Sequence, residues 1–317
     1  MVKSPNIAIC LMGPTASGKT DLASELVETF PFEIISVDSA MIYRGMDIGT
    51  AKPDHELLAR APHHLIDILD PTESYSAAQF YEDAERLCQD IRARGKIPLL
   101  TGGTMMYFNA LQKGIAKLPE ANEELRMQLL QQAKNLGWPA MHARLSKFDK
   151  ETASRIHPHD AQRIQRALEV YELTGKPWSE LIKQPSTQAS HHFINVILMP
   201  NDRSWLHNRI ALRFEQMLAQ GFLEEVKTLV RKWALDLSHP AMKSVGYRQA
   251  LMHLQGEMDY ETFITKGIAA TRQLAKRQMT WLRHWSQALP FVAENPEVCR
   301  DIMARIHKIL DNNSSKT

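Results

Sequence analysis

The chain has 317 residues, 44% of them hydrophobic and 23% charged, with a formal net charge of +2. That composition supports a sizeable core, while so small a charge leaves any polyanion partner to be argued from local clusters. Three dispersed cysteines, Cys10, Cys88 and Cys299, form no C-x-x-C pair, and no run approaches the roughly 20 apolar residues of a membrane span. These features argue against a disulfide framework, a cysteine-held metal and a membrane anchor, and cytoplasmic residence is expected.

The first element is an apolar strand over 6–12, too short for a signal peptide and running straight into GPTASGKT. Gly13, Pro14, Thr15, Ala16, Ser17, Gly18, Lys19 and Thr20 complete the phosphate-cradling pattern G-x-x-x-x-G-K-[ST]. A helix-forming run follows from Asp21, so the motif has the strand, turn and helix it needs. In such a loop backbone N–H groups and the helix N-terminus attract a phosphate, Lys19 adds a point charge, and the Thr20 hydroxyl suits Mg²⁺. A glycine turn used only for packing explains the flanks less well. The chain is expected to bind a di- or triphosphate.

Strands are also predicted at 33–37 and 96–101, separated by helical patterns at 19–29 and 76–94, as in parallel βαβ units. Asp38 follows the second strand, on the rim where open parallel sheets bind ligands, although Asp-Ser is also ordinary helix-cap chemistry. The third strand opens onto Thr101-Gly102-Gly103-Thr104. Two glycines and two threonines stand where many P-loop nucleotide hydrolases carry a magnesium-holding acid. Thr104 could orient a neutral group, or the segment could be a plain strand-to-helix turn.

Residues 116–190 show no strand pattern and read as a helical insertion, punctuated by Gly137-Trp138-Pro139 and ended by Gly175-Lys176-Pro177. A fourth strand is expected at 193–199, then helix to about Trp285, with 311–317 frayed. The fold class is therefore α/β, a P-loop NTPase-like parallel sheet core flanked by helices, with a helical insertion domain. The expected boundaries are 1–115 and 191–300 for the core, 116–190 for the insertion and 301–317 for a C-terminal tail.

GPTASGKT (13–20), SVDSA (36–40), YRGMDIGTAKP (43–53), GGT (102–104), QRIQRALE (162–169), SVGYR (244–248) and TRQLAKRQ (271–278) occur in order. Together they resemble the tRNA dimethylallyltransferases, the isopentenyl transferases of the MiaA family, over about 7–285. Met41 stands where that family usually has leucine or isoleucine. The resemblance implies transfer of a dimethylallyl group from dimethylallyl diphosphate to N6 of adenosine 37 in the anticodon loop. The substrates would be tRNAs reading codons that start with U, the product N6-(dimethylallyl)adenosine, and Mg²⁺ the cofactor. It makes Arg213 a diphosphate-side arginine beside Lys19, where an exposed helix arginine is the plainer alternative. Asp38 would accept the N6 proton. A carboxylate is too weak a base to deprotonate a neutral amine beforehand, so it would act late, once C–N bonding has made the nitrogen acidic.

A stacked base must be turned out to react, which calls for cations on phosphates and apolar or aromatic wedges on bases. The resemblance implies tRNA contacts at Asp38, Ser39, Ala40, Met41 and Thr104, at Gln162, Arg163, Ile164, Gln165 and Arg166, and at Lys243, Ser244, Val245, Gly246, Tyr247 and Arg248. The helical segment 271–285, with Arg272, Lys276, Arg277, Arg283, Trp281 and Trp285, suits either RNA contact or core. His63-His64, His157-Pro158-His159 and His191-His192 match no zinc spacing. Two other readings share the phosphate loop: a small-molecule kinase, disfavoured by the insertion and the missing acid after the third strand, and a nucleotide-gated RNA-binding switch, disfavoured by the lack of N-K-x-D. A monomer is expected.

Overall fold

The structure, a computed structural model, describes residues 6–183 and 191–314. The ends of the expected core, insertion and tail at 1–5, 184–190 and 315–317 lie outside the described residues. By internal contact the chain divides into two units, Met1–Gln112 with Ser190–Thr317, and Lys113–Ala189.

The first unit is built on six strands: β1 Ile7–Met12, β2 Phe32–Val37, β3 His63–His64, β4 Ile97–Gly102, β5 His192–Met199 and β6 Ala288–Val292. Their spatial order is β3-β2-β4-β1-β5-β6, and every pairing is parallel. All six residues of β1 are buried, because helices cover both faces and an unbroken apolar run is what such a strand requires. On one face, Phe80, Cys88 and Phe108 come from the helices Ala77–Ala93 and Met105–Lys113. On the other, Leu22 and Leu26 of the Lys19–Thr29 helix pack with Ile302 and Ile306.

Two edge strands escaped the sequence reading. β3 is two residues long, and β6 carries Pro290, which a strand tolerates at an edge because its missing N–H faces no partner. The tail expected at 301–317 is also corrected. Val298–Ser314 is one helix, held down by the buried Ile302 and Ile306.

A further apolar cluster joins the helices Arg203–Ala219, Phe222–Trp233, Tyr247–Leu254 and Tyr260–Arg283 around Phe214, Phe222, Tyr247 and Phe263. Gly267 lets the Phe214 ring lie against the Tyr260–Arg283 helix, since a Cβ there would come within 2.3 Å of it. Among the described residues no helix is long and apolar enough to cross a membrane.

The second unit contains the helices Glu123–Leu136, Trp138–Ser146, Lys150–Arg155, Ala161–Thr174 and Trp178–Leu181, and no strand among its described residues. Leu129, Met141, Leu145, Ile164 and Leu168 form its core. Gly137 and Gly175 end two of the helices with φ of +81° and +68°, a left-handed backbone that glycine adopts without Cβ strain.

Candidate active site

A cleft of about 800 Å³ opens at the carboxyl ends of β1, β2 and β4. Five cations (Lys19, Arg209, Arg213, Lys243 and Arg277) and two carboxylates (Asp21 and Asp38) line it, so its charge favours an anion.

The phosphate loop leaves β1 directly. Gly18 sits at φ +90° as the N-cap of the Lys19–Thr29 helix, and no side chain caps that helix end. A Cβ on Gly13 would come within 2.8 Å of both the Leu198 carbonyl and Ser17 Oγ, so the chain can turn this tightly only with glycine. Two distant side chains brace the loop. Arg209 Nε donates to the Ala16 carbonyl at 2.8 Å, and Gln278 Oε1 accepts from the Thr15 N–H at 2.9 Å. Lys19 Nζ donates to the Pro14 carbonyl at 2.6 Å. Burial, then the nearby Arg213, pushes the Lys19 ammonium down to about 7 against the opposing pull of Asp38. Burial likewise lowers Arg213, with Asp38 acting in the other direction. Arg213 Nη2 donates to the Thr50 carbonyl at 3.2 Å, in a loop whose Asp47, Ile48 and Gly49 N–H groups all donate to the Glu225 carboxylate.

Across the cleft, Asp38 Oδ1 accepts from the N–H groups of Ala40 (2.8 Å) and Met41 (3.3 Å). The turn reading and the site reading are thus compatible, because only one oxygen is engaged as an Asx turn while the residue lines the cleft. Thr104 Oγ1 accepts from the Ser39 N–H at 3.1 Å. The Thr20 hydroxyl also lines the cleft. Among the described residues no cluster of three His, Cys, Asp or Glu side chains could cage a metal. The oxygens that Thr20, Asp21 and Asp38 bring to the cleft are hard donors, a set that suits a hard cation.

The residues expected to touch RNA divide sharply. Ser39, Lys243 and Arg248 are exposed, and Ser39, Ala40, Met41, Lys243, Ser244 and Val245 line the cleft. Tyr247 does not fit an RNA contact made by its side chain. It is fully buried against Phe222, with its hydroxyl 2.6 Å from Glu225, so it builds the cleft wall. Gly246 beside it is buried at φ +90°. In the second unit Gln162 and Arg163 are exposed, whereas Ile164 is corrected to a core residue at 0% exposure. Helical spacing puts it with Ala167 and Leu168. Gln165 Nε2 donates to the Arg126 carbonyl, and Arg166 is tied to Glu169 and to the Pro119 carbonyl. The 271–285 segment serves two purposes: Ala275, Met279 and Leu282 are buried, while Thr271, Leu274, Arg277, Gln278 and Trp281 line the cleft.

Residues 41–285 match the family described as IPP transferase. The chain belongs to the IPP transferase family. The chain is 60% identical over 309 residues to the tRNA dimethylallyltransferase of Legionella pneumophila (strain Philadelphia 1), covering 98% of this chain and 99% of that one. It is similar in structure to the full-length tRNA isopentenylpyrophosphate transferase of Bacillus halodurans, with a TM-score of 0.70, 34% identity and 98% of each chain covered. It also resembles a eukaryotic dimethylallyltransferase acting on tRNA, with a TM-score of 0.81, 25% identity, and 96% of this chain and 80% of that one covered.

Sequence reasoning did not single out three polar residues that shape the cleft: Arg209, Glu225 and Gln278. Each bonds to backbone more than 170 residues away in sequence, so even Gln278, the last residue of the TRQLAKRQ motif, shows no bracing role in the sequence itself.

Proposed function

We propose that this chain transfers a dimethylallyl group from dimethylallyl diphosphate to N6 of adenosine 37 in tRNA, releasing diphosphate. One observation carries the reading: a cationic phosphate loop and a carboxylate–hydroxyl rim face the same cleft. The loop and Arg213 hold the diphosphate, and charge grows on it as the C–O bond breaks and the electron pair leaves with oxygen. Loop amides, Lys19 and Arg213 stabilise that charge in a site that is already arranged for it. The Thr20 hydroxyl would hold Mg²⁺, which when bound supplies further positive charge to the leaving group.

The N6 lone pair then bonds to the allylic carbon. N6 becomes acidic as it does so and gives its proton to the free oxygen of Asp38. The Asp38 turn fixes the carboxylate, and Thr104 with Ser39 supports the neighbouring backbone. Exposed Gln162 and Arg163 in the second unit, and Lys243 and Arg248 in the first, supply contacts to the RNA.

The test is a product assay. The full chain is incubated with unmodified tRNA, Mg²⁺ and dimethylallyl diphosphate, the RNA is digested, and the nucleosides are weighed. An adenosine heavier by one dimethylallyl group is expected. Asp38→Ala should lower turnover by about 10²-fold or more with diphosphate binding nearly intact. Normal turnover in that variant would remove Asp38 from the mechanism, and phosphate transfer from ATP with no prenylated nucleoside would favour a kinase.

A further inference from the structure

Gln278 lies on the Tyr260–Arg283 helix, 8% exposed, between the buried Ala275 and Met279. A buried carboxamide needs both a donor and an acceptor, and here the two come from different loops. Its Oε1 accepts from the Thr15 N–H in the phosphate loop, and its Nε2 donates to the Gly103 carbonyl, both at 2.9 Å. Gly103 makes the second bond possible, since a Cβ there would lie 2.3 Å from Nε2.

From Gly103 the connection continues along the rim. The Thr104 N–H donates to the Val37 carbonyl at 3.1 Å, the Ser39 N–H donates to Thr104 Oγ1 at 3.1 Å, and the Ala40 N–H donates to Asp38 at 2.8 Å. One side chain therefore joins the loop that would cradle the donor to the loop that would orient the acceptor. We infer that Gln278 is a positioning residue, setting the phosphate loop against the Thr104–Asp38 rim so that the allylic carbon and N6 meet at bonding distance. The inference rests on the prenyl-transfer reading above. A displacement of about 1 Å between reacting groups can cost about 10²-fold in rate without changing how tightly either substrate binds.

Two variants of the full chain test it. Gln278→Met keeps the volume and removes both bonds. Gln278→Asn keeps the amide but is one methylene too short to reach both loops at once. In each, kcat is expected to fall by about 10- to 100-fold. The KM for tRNA, and the Kd for dimethylallyl diphosphate measured without tRNA, should stay within about threefold of wild type. Thermal midpoints are measured alongside. A folded variant that keeps wild-type kcat, a loss that lies wholly in KM or Kd, or failure of both variants to fold would each overturn the positioning role. Wild-type protein that makes no prenylated adenosine would instead defeat the underlying reading, so the two failures are distinguishable.

Discussion

Glutamine in place of Glu169 isolates what holds the helix bearing Gln162 and Arg163. The Glu169 carboxylate is 0% exposed and accepts four hydrogen bonds: from the Asn122 N–H at 2.8 Å, Arg126 Nε at 2.9 Å, Arg126 Nη2 at 3.2 Å and Arg166 Nη1 at 2.7 Å. A glutamine oxygen can still serve Asn122 and Arg126 Nε. Its NH₂ group would then face Arg126 Nη2 and Arg166 Nη1, setting donor against donor. Breaking a buried pair in this way costs about 3–5 kcal/mol. The lower end applies because the Arg126 side chain is 40% exposed and regains water, so about 3 kcal/mol is expected, or about 10²-fold in a local opening constant.

Hydrogen exchange on the full chain reads this directly. Amides of Glu123–Leu136 and Ala161–Thr174 should exchange about 10²-fold faster, while those of β1 and β4 keep their protection. The effect has a pH signature. Burial raises the Glu169 pKa, but hydrogen bonds from Arg166, Asn122 and Arg126 outweigh it and leave the carboxyl below its ordinary value. The stabilisation is thus fully present above the ordinary glutamate range and is lost as pH falls through the lowered value. Wild-type protection in these helices should decline in acid, and Glu169→Gln should lack that decline. Unchanged exchange in the variant at neutral pH would refute the argument that the buried carboxylate holds these helices together.

Lys19→Met removes the one ammonium aimed into the phosphate loop and should weaken dimethylallyl diphosphate binding by about 10- to 100-fold, measured by titration calorimetry. Since burial already disfavours the Lys19 charge, the same variant should raise the thermal midpoint at neutral pH, and a fall would contradict the desolvated placement. Thr104→Val deletes the acceptor of the Ser39 N–H and should lower kcat by about 10-fold with the KM for tRNA nearly unchanged, read in the nucleoside assay.

What could be read in the sequence is what local rules dictate. The phosphate loop was legible because its backbone demands glycine at Gly13 and Gly18, and the flanking strand and helix carry their own apolar periods. β1, β2, β4 and β5 were legible because burial on both faces needs continuous apolar runs. The edge strands β3 and β6 answer to one neighbour each, and their partly exposed residues carry no such run. Ile164 shows a readable signal that the motif obscured: its spacing from Ala167 and Leu168 places it in the core, although it sits inside a polar segment. Glu169 and Gln278 differ in kind. Each closes a motif on an amphipathic helix, QRIQRALE and TRQLAKRQ, yet only the folded chain shows that their polar atoms are spent on distant partners. Glycine and lysine in the phosphate loop specify chemistry by local geometry, whereas these buried polar residues specify where that chemistry is held. Their importance follows from a low-dielectric setting in which an unpaired partner is costly, a property of the packed structure that no window of sequence contains.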